Sequence, residues 1–147
     1  MIKWCFLPIS SKVGIYDVRL DSFSTKETGL SGYKFSGAIS VGDKVVFAPD
    51  NSSSVGIYDV TLDSFSTKET GLSGYKFSGG VAVGDKVVFA PANSSKVGIY
   101  DVGLDSFSTK ETGLPGKGDF SGGVAVGDKV LFSPRNSSKV GIYQMYG

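Results

Sequence analysis

Tyrosine and lysine recur together in one repeated loop, and they are the side chains best suited to contact a ligand. Tyr33-Lys34 and Tyr75-Lys76 each precede a Phe-Ser-Gly segment, and the third copy of this loop carries Lys117 and Asp119 instead. A tyrosine ring can stack on a sugar or a base while a lysine donates hydrogen bonds. The alternative is that the tyrosine packs on neighbouring structure and the lysine is solvated, because concave sites are few in any protein. The candidate ligand-binding residues are therefore Tyr33, Lys34, Tyr75, Lys76, Lys117 and Asp119.

The residue types on which much of enzyme catalysis depends are scarce. The chain has no histidine, which excludes histidine triads, histidine bases and histidine metal ligands. Its one cysteine, Cys5, cannot form an intramolecular disulfide or a cysteine zinc site. Cys5 aligns with the strand positions Val46 and Val88, so we expect a buried and inert thiol. We predict a non-enzymatic chain with no catalytic residue, no metal site and no cofactor.

Aspartates recur in two kinds of tight turn. One kind is the Gly-Asp-Lys turn at Asp43 and its copies, and the other pairs Asp17 with Asp21 four residues later. A pair of this kind could contribute to a calcium site, but calcium needs several converging oxygen ligands. An aspartate in a turn usually accepts hydrogen bonds from its own backbone, so we favour that role.

Charge and hydropathy limit the partners. The 147 residues carry 15 basic and 14 acidic side chains, a net charge of +1, which argues against a nucleic acid held mainly by charge. No apolar run approaches the roughly 20 residues that a transmembrane helix needs, and the opening segment is too short for a signal-peptide core. We therefore expect no membrane partner, and a cytoplasmic location by default.

Internal repetition is the strongest signal in the sequence. The segment Val-Gly-Ile-Tyr-Asp-Val begins at Val13, Val55 and Val97, a period of 42 residues, and Val-Gly-Ile-Tyr returns at Val140. Residues 13–54 and 55–96 differ at only six positions. Such near-identity indicates recent tandem amplification or design, and any surface site in one repeat recurs in the others.

Within a repeat the hydrophobic period is two, which predicts strands rather than helices. Residues 78–83, 86–91 and 96–102 form three apolar segments separated by turn residues, and residues 107–113 alternate small and polar side chains as an outer strand does. Val88 and Ala90 are expected on one face of their strand, and Val87 and Phe89 on the other. Four antiparallel strands per 42 residues predict an all-β fold, a β-propeller built of four-stranded antiparallel blades.

The segment SGGVAVGDKVVFAPANSSKVGIYDV resembles a blade of the YVTN/NHL type of propeller. The resemblance covers nearly the whole chain and implies the architecture. For function it implies only a broad range, because such propellers include scaffolds, peptide and RNA binders, lectin-like proteins and some enzymes. Enzymatic members rely on histidine or acidic clusters at the channel, and this chain has no histidine.

Aligning the ends with the repeat gives about 3.5 blades in one domain over residues 1–147. The full repeats are 13–54, 55–96 and 97–139, and the partial ones are 1–12 and 140–147. An unclosed arc would expose two apolar blade faces, so we expect a homodimer that completes the ring. In one version, an inner strand of one chain completes the opening blade of its partner, giving six blades. A compact four-bladed monomer and a fragment of a longer protein are the alternatives.

These observations predict a binding or scaffold module with equivalent loop sites for a glycan, peptide or protein ligand. A purely structural repeat protein is the first alternative. A propeller-type hydrolase or lyase is the second, and it is the least favoured because no paired carboxylates accompany the missing histidine.

Overall fold

A computed structural model describes residues 3–6, 11–32 and 34–145, and it describes side chains from residue 11 onward. Tyr33 and the side chains of Trp4 and Cys5 therefore lie outside the described residues. The strands are β1 (Lys3–Phe6), β2 (Lys12–Asp17), β3 (Ser22–Glu27), β4 (Phe35–Val41), β5 (Lys44–Pro49), β6 (Ser54–Asp59), β7 (Ser64–Glu69), β8 (Phe77–Val83), β9 (Lys86–Pro91), β10 (Lys96–Asp101), β11 (Ser106–Glu111), β12 (Phe120–Val126), β13 (Lys129–Pro134) and β14 (Gly141–Gln144).

The strands form four antiparallel sheets in chain order. The first sheet is β1-β2-β3, the second β4-β5-β6-β7, the third β8-β9-β10-β11 and the fourth β12-β13-β14. The prediction of an all-β fold with repeated four-stranded antiparallel blades is confirmed. The first sheet has no inner strand and the fourth has no outer strand among the described residues, as the alignment of the ends predicts.

Side-chain alternation gives the second and third sheets two apolar faces each. Val88 and Ala90 of β9 pack against the fourth sheet, while Val87 and Phe89 pack against the second. We call the face that packs on the following sheet the forward face, and the face that packs on the preceding sheet the reverse face. The expected division of β9 between two faces is confirmed.

The core consists of three clusters, and each lies between successive sheets. The first cluster joins Val13 and Ile15 of the first sheet to the reverse face of the second sheet. The second joins the second and third sheets, and the third joins the third and fourth sheets. The stability of the arc therefore resides in sheet-on-sheet packing, with each cluster a variation on the same set of valine, isoleucine, phenylalanine and tyrosine positions.

Glycine lets the inner strands approach closely at the hub. Each inner strand carries a bulge, and Gly37 lies in the bulge of β4 with φ of 95°. A Cβ built on Gly37 would lie 2.7 Å from the Cα of Gly79 in the next inner strand. A Cβ on Gly122, the same position in the fourth sheet, meets nothing within 4 Å. The contact between bulges therefore repeats along the arc until the fourth sheet, where this side of the hub is open.

Tyrosine and aspartate fix the turns between the third and outer strands. Asp101 accepts a hydrogen bond from the backbone N–H of Leu104 at 2.9 Å, and Asp105 takes the left-handed conformation with φ of 50°. The Tyr100 hydroxyl donates to Asp105 at 2.7 Å. Because the same arrangement recurs at Tyr58 and Asp63, the interpretation of these aspartates as turn formers is confirmed.

Candidate functional site

The loops that carry the candidate residues link the outer strand of one sheet to the inner strand of the next. The backbone N–H of Lys76 donates to the carbonyl of Asp50 in the second sheet at 3.1 Å. The carbonyl of Lys76 in turn accepts from Ala92 and Asn93 of the third sheet, both at 3.0 Å. Each loop thus fastens two neighbouring sheets together at the end where the second strand turns into the third.

Lys76 is a buried cation in this loop. Its side chain is 3% exposed, and its ammonium donates to the carbonyl of Gly74 at 2.6 Å. Burial lowers the pKa of Lys76, and the nearby carboxylates of Asp50 and Glu69 oppose that shift. This ammonium therefore serves first to satisfy loop carbonyls between two sheets, and little of it is presented to a ligand.

Asp119 occupies the corresponding position in the last loop. It is 7% exposed, and its carboxylate accepts a hydrogen bond from the backbone N–H of Gly116 at 3.0 Å. Lysine in one loop meets a carbonyl, and aspartate in the other meets an N–H, so opposite charges are stabilised at equivalent places by different backbone groups. Both residues are therefore part of the joints between sheets.

The other described candidates reach the surface to different extents. Tyr75 is 55% exposed, Lys117 is exposed and Lys34 is half-buried. They stand in three successive loops. The side chains available to stack on a ligand or to donate to it are thus Tyr75 and Lys117, with Lys34 partly available.

Within the part of the chain that the structure describes, no three histidine, cysteine, aspartate or glutamate side chains lie together in a way that could hold a metal ion. The same ranges contain no helix long and apolar enough to cross a bilayer.

A cavity of about 250 Å³ lies between the outer strand of the third sheet and the fourth sheet. Its walls include Val97 and Lys110 of the third sheet and Phe120, Phe132 and Tyr143 of the fourth. The sequence analysis did not predict this cavity. Its alignment of the last residues with the repeat gave the fourth sheet no outer strand, and that alignment could have indicated an open place there.

A second, more open groove of about 490 Å³ lies at the other end of the arc. It is lined by Ser40, Asp43, Lys44 and Val45 of the second sheet and by the start of its outer turn at Val60 and Thr61. Val45 belongs to the cluster between the first and second sheets, so this groove lies on the side of the second sheet that faces the first.

Comparisons with known proteins identify the fold. No family model matches the chain, and no curated protein matches it either. Among solved structures, RRP9 WD40 repeats match with a TM-score of 0.73 at 13% identity, over 97% of this chain and 46% of that one. A nidogen/laminin complex matches with a TM-score of 0.67 at 14% identity, over 97% of this chain and 57% of the other.

One further match is to an enzyme. Hydrazine synthase of Kuenenia stuttgartiensis gives a TM-score of 0.71 at 12% identity, over 91% of this chain and 40% of that one. The chain thus spans less than two thirds of each of these structures. Identities this low establish the architecture alone, and on that evidence the chain has the fold of a β-propeller made of repeated blades.

Proposed function

We propose that this chain is a non-enzymatic β-propeller module that binds other macromolecules and completes its ring by association with a second copy. The observation that carries the proposal is the exposed forward face of the fourth sheet. The blades belong, in this proposal, to the YVTN/NHL type that their sequence resembles, and residues 1–147 act as one domain.

The forward face of the fourth sheet is apolar and open to solvent. Val124 is 56% exposed and Ile142 is 66% exposed. Val81, the counterpart of Val124 in the third sheet, is 8% exposed because the fourth sheet covers it. Exposed apolar patches of this kind mark interaction surfaces, because leaving them in water costs free energy.

The reverse face of the first sheet is the natural counterpart. Phe23 of β3 keeps a contact within the chain and is still 64% exposed. Phe65 and Phe107, at the same position of later outer strands, pack into the clusters between sheets. In this proposal, the forward face of the fourth sheet and the reverse face of the first sheet pair in the way that successive sheets pair in the three internal clusters.

Two copies related by a twofold axis along the channel would bring each forward face onto a reverse face. Such a ring would contain eight sheets, within the usual range of roughly four to eight blades. The net charge of +1 gives little repulsion between copies. In this proposal, homodimerisation uses the same kind of sheet-on-sheet packing that holds the arc together.

Ligand binding is assigned to the loops between sheets. Tyr75 and Lys117 are the most accessible of the candidate residues, and Lys34 is partly accessible. Because the loops repeat, they suit a ligand with repeated units, such as a glycan or a peptide, whose binding gains from several linked contacts.

Sedimentation velocity of charged-face variants tests the association. Ile142→Lys places an ammonium in the proposed interface and is expected to give a monomer, because a lone buried charge is strongly unfavourable. Leu104→Lys is the matched control, since Leu104 is 77% exposed in a turn away from the proposed interface. Equal sedimentation of the two variants as dimers would contradict the proposed interface.

Array binding tests the loop assignment separately. Labelled wild type is applied to glycan and peptide arrays, and Tyr75→Ala is applied to the same arrays. We expect loss of at least one wild-type signal in Tyr75→Ala. Retention of every signal would remove Tyr75 from the binding surface, and measurable substrate turnover would contradict the non-enzymatic assignment.

A further inference from the structure

The cavity beside the fourth sheet matches a place that is filled in the preceding sheets. In the third sheet, Phe107 of the outer strand packs on Phe77, with ring centroids 6.3 Å apart. In the second sheet, Phe65 packs on Phe35 with ring centroids 6.2 Å apart. The fourth sheet has Phe120 at the position of Phe35 and Phe77, and Phe120 lines the cavity.

The remaining walls also correspond. The cluster that receives Phe107 includes Val55, Phe89 and Tyr100. Their counterparts one repeat later are Val97, Phe132 and Tyr143, and all three line the cavity. The cavity is therefore the place of an outer-strand phenylalanine, left open at the edge of the fourth sheet.

Leucines of the connecting loops support this correspondence. Leu30 and Leu72 pack against the clusters that also receive Phe65 and Phe107. Leu114, the next copy, lines the cavity and is 37% exposed. An aromatic ring in the cavity would cover Leu114 as the earlier copies are covered.

A backbone edge lies next to the cavity. Among the described residues, β14 is the last strand of its sheet, whereas β10 pairs along its whole length with β11. In that pairing Gly98 faces Thr109, Ile99 faces Ser108 and Tyr100 faces Phe107. The same register on β14 would set an incoming phenylalanine opposite Tyr143, beside the cavity.

Charge complementarity specifies one more residue of the occupant. Lys26 pairs with Asp63 at 3.8 Å, and Lys68 pairs with Asp105 at 4.0 Å, each from one outer strand to the turn of the next sheet. Lys110 is the next lysine in this series, and it lines the cavity. An aspartate two residues before the incoming phenylalanine would meet both Lys110 and the Tyr143 hydroxyl.

We propose that the edge of β14 and the adjoining cavity form a docking site for an extended peptide segment of a partner protein, with the pattern Asp-x-aromatic followed by small polar residues. The segment adds a fourth strand to the sheet by backbone pairing, and its aromatic ring fills the cavity. This is β-strand addition, in which main-chain bonds give affinity and the pocket selects the side chain. The cavity lies between the third and fourth sheets, on the side of the fourth sheet opposite its forward face, and Ile142 borders both surfaces. The peptide-binding tests therefore use no substitution at Ile142.

Fluorescence anisotropy with a labelled peptide tests the proposal on the full chain. The probe is the chain's own outer-strand sequence, LDSFSTKETG, from residues 104–113. We expect saturable binding, weakened about tenfold or more when the peptide phenylalanine is replaced by alanine, because a buried ring is lost. No saturable binding up to about 1 mM, roughly the weakest affinity that would matter, or equal binding of both peptides, would overturn the proposal.

Variants of the protein locate the site. Lys110→Ala is expected to weaken peptide binding by up to about fivefold, because the equivalent pairs Lys26–Asp63 and Lys68–Asp105 are solvent-exposed. Lys68→Ala, in which the same residue type is removed from an ion pair already made within the chain, should leave binding unchanged. Equal effects of the two substitutions would place the peptide elsewhere.

A fused variant gives an independent test. Extending the chain beyond Gly147 with a flexible linker and the same ten-residue sequence should fill the site from within. That protein is expected to lose binding of free peptide and to melt at a higher temperature than wild type. Unchanged peptide binding by the folded fusion would overturn the proposal, whether or not the chain forms a dimer.

Discussion

A valine at one strand position is buried in the third sheet and exposed in the fourth. Substituting each of the two valines therefore tests whether the forward face of the fourth sheet is uncovered. Val81 and Val124 share the local sequence Ser-Gly-Gly-Val-Ala-Val, yet Val81 is 8% exposed and Val124 is 56% exposed. Replacing either by alanine removes two methyl groups in the same backbone context. Any difference in cost therefore reports the coverage of the forward face.

The magnitudes follow from burial. Two methyl groups at about 0.8 kcal/mol each give roughly 1.6 kcal/mol for Val81→Ala, and the residual cavity raises this to about 2–3 kcal/mol. Val124→Ala removes mostly exposed surface, so its cost to the monomer is expected to be below about 1 kcal/mol. The sheet-on-sheet core thus predicts a difference of more than about 1 kcal/mol between two chemically identical substitutions.

Urea unfolding followed by circular dichroism measures both costs. Each variant is diluted until the midpoint no longer changes with protein concentration, which removes the contribution of association. At higher concentration, Val124→Ala is expected to lose the additional stability that dimerisation gives to wild type. Equal costs at low concentration would refute the reasoning, because they would mean that the forward face of the fourth sheet is covered within one chain, as in a compact four-bladed monomer.

Two further substitutions test the hub and the turns. Gly37→Ala and Gly122→Ala both place a side chain at positive φ, at a cost of about 1–2 kcal/mol each. Only Gly37→Ala also brings a Cβ to 2.7 Å from the backbone of Gly79. Thermal melting should therefore show a lower melting temperature for Gly37→Ala, and equal melting temperatures would contradict the close packing of the inner strands. Burial and the hydrogen bond to Asp105 raise the pKa of Tyr100 above its usual value, so its contribution to stability is complete below about pH 10 and falls as the pH rises above that value. Tyr100→Phe should lower the free energy of unfolding by about 1–2 kcal/mol at neutral pH and should flatten this alkaline decline, and a decline of unchanged steepness would exclude Tyr100 as its source.

The architecture could be predicted from the sequence because every repeat encodes the same set of strands. The 42-residue period and the alternation of Val87, Val88, Phe89 and Ala90 define strands with two apolar faces, and the structure places those residues in two different clusters. Within the described ranges the first sheet has no inner strand and the fourth has no outer strand, as alignment with the repeat predicts. Local pattern and global fold agree here because each repeat encodes the same sheet and the same contacts with its neighbours.

The candidate site was harder to predict. Lysine in a glycine-rich loop suggests a solvated or ligand-binding group, yet Lys76 is buried against the carbonyl of Gly74. Its burial depends on Asp50, 26 residues earlier, whose turn comes from another sheet. The residue pattern of a single loop cannot show a contact between two sheets that are distant in sequence. The cavity beside Phe120 was not predicted for the same reason, because residues of two sheets line it.

The most direct test of the proposed assembly is the solution mass of the wild-type chain, measured by light scattering on a size-exclusion column over a range of concentrations. The proposed pairing of terminal faces predicts a species of about 31 kDa, twice the chain mass of 15.4 kDa. A mass of 15.4 kDa at every concentration would contradict the ring formed by two copies.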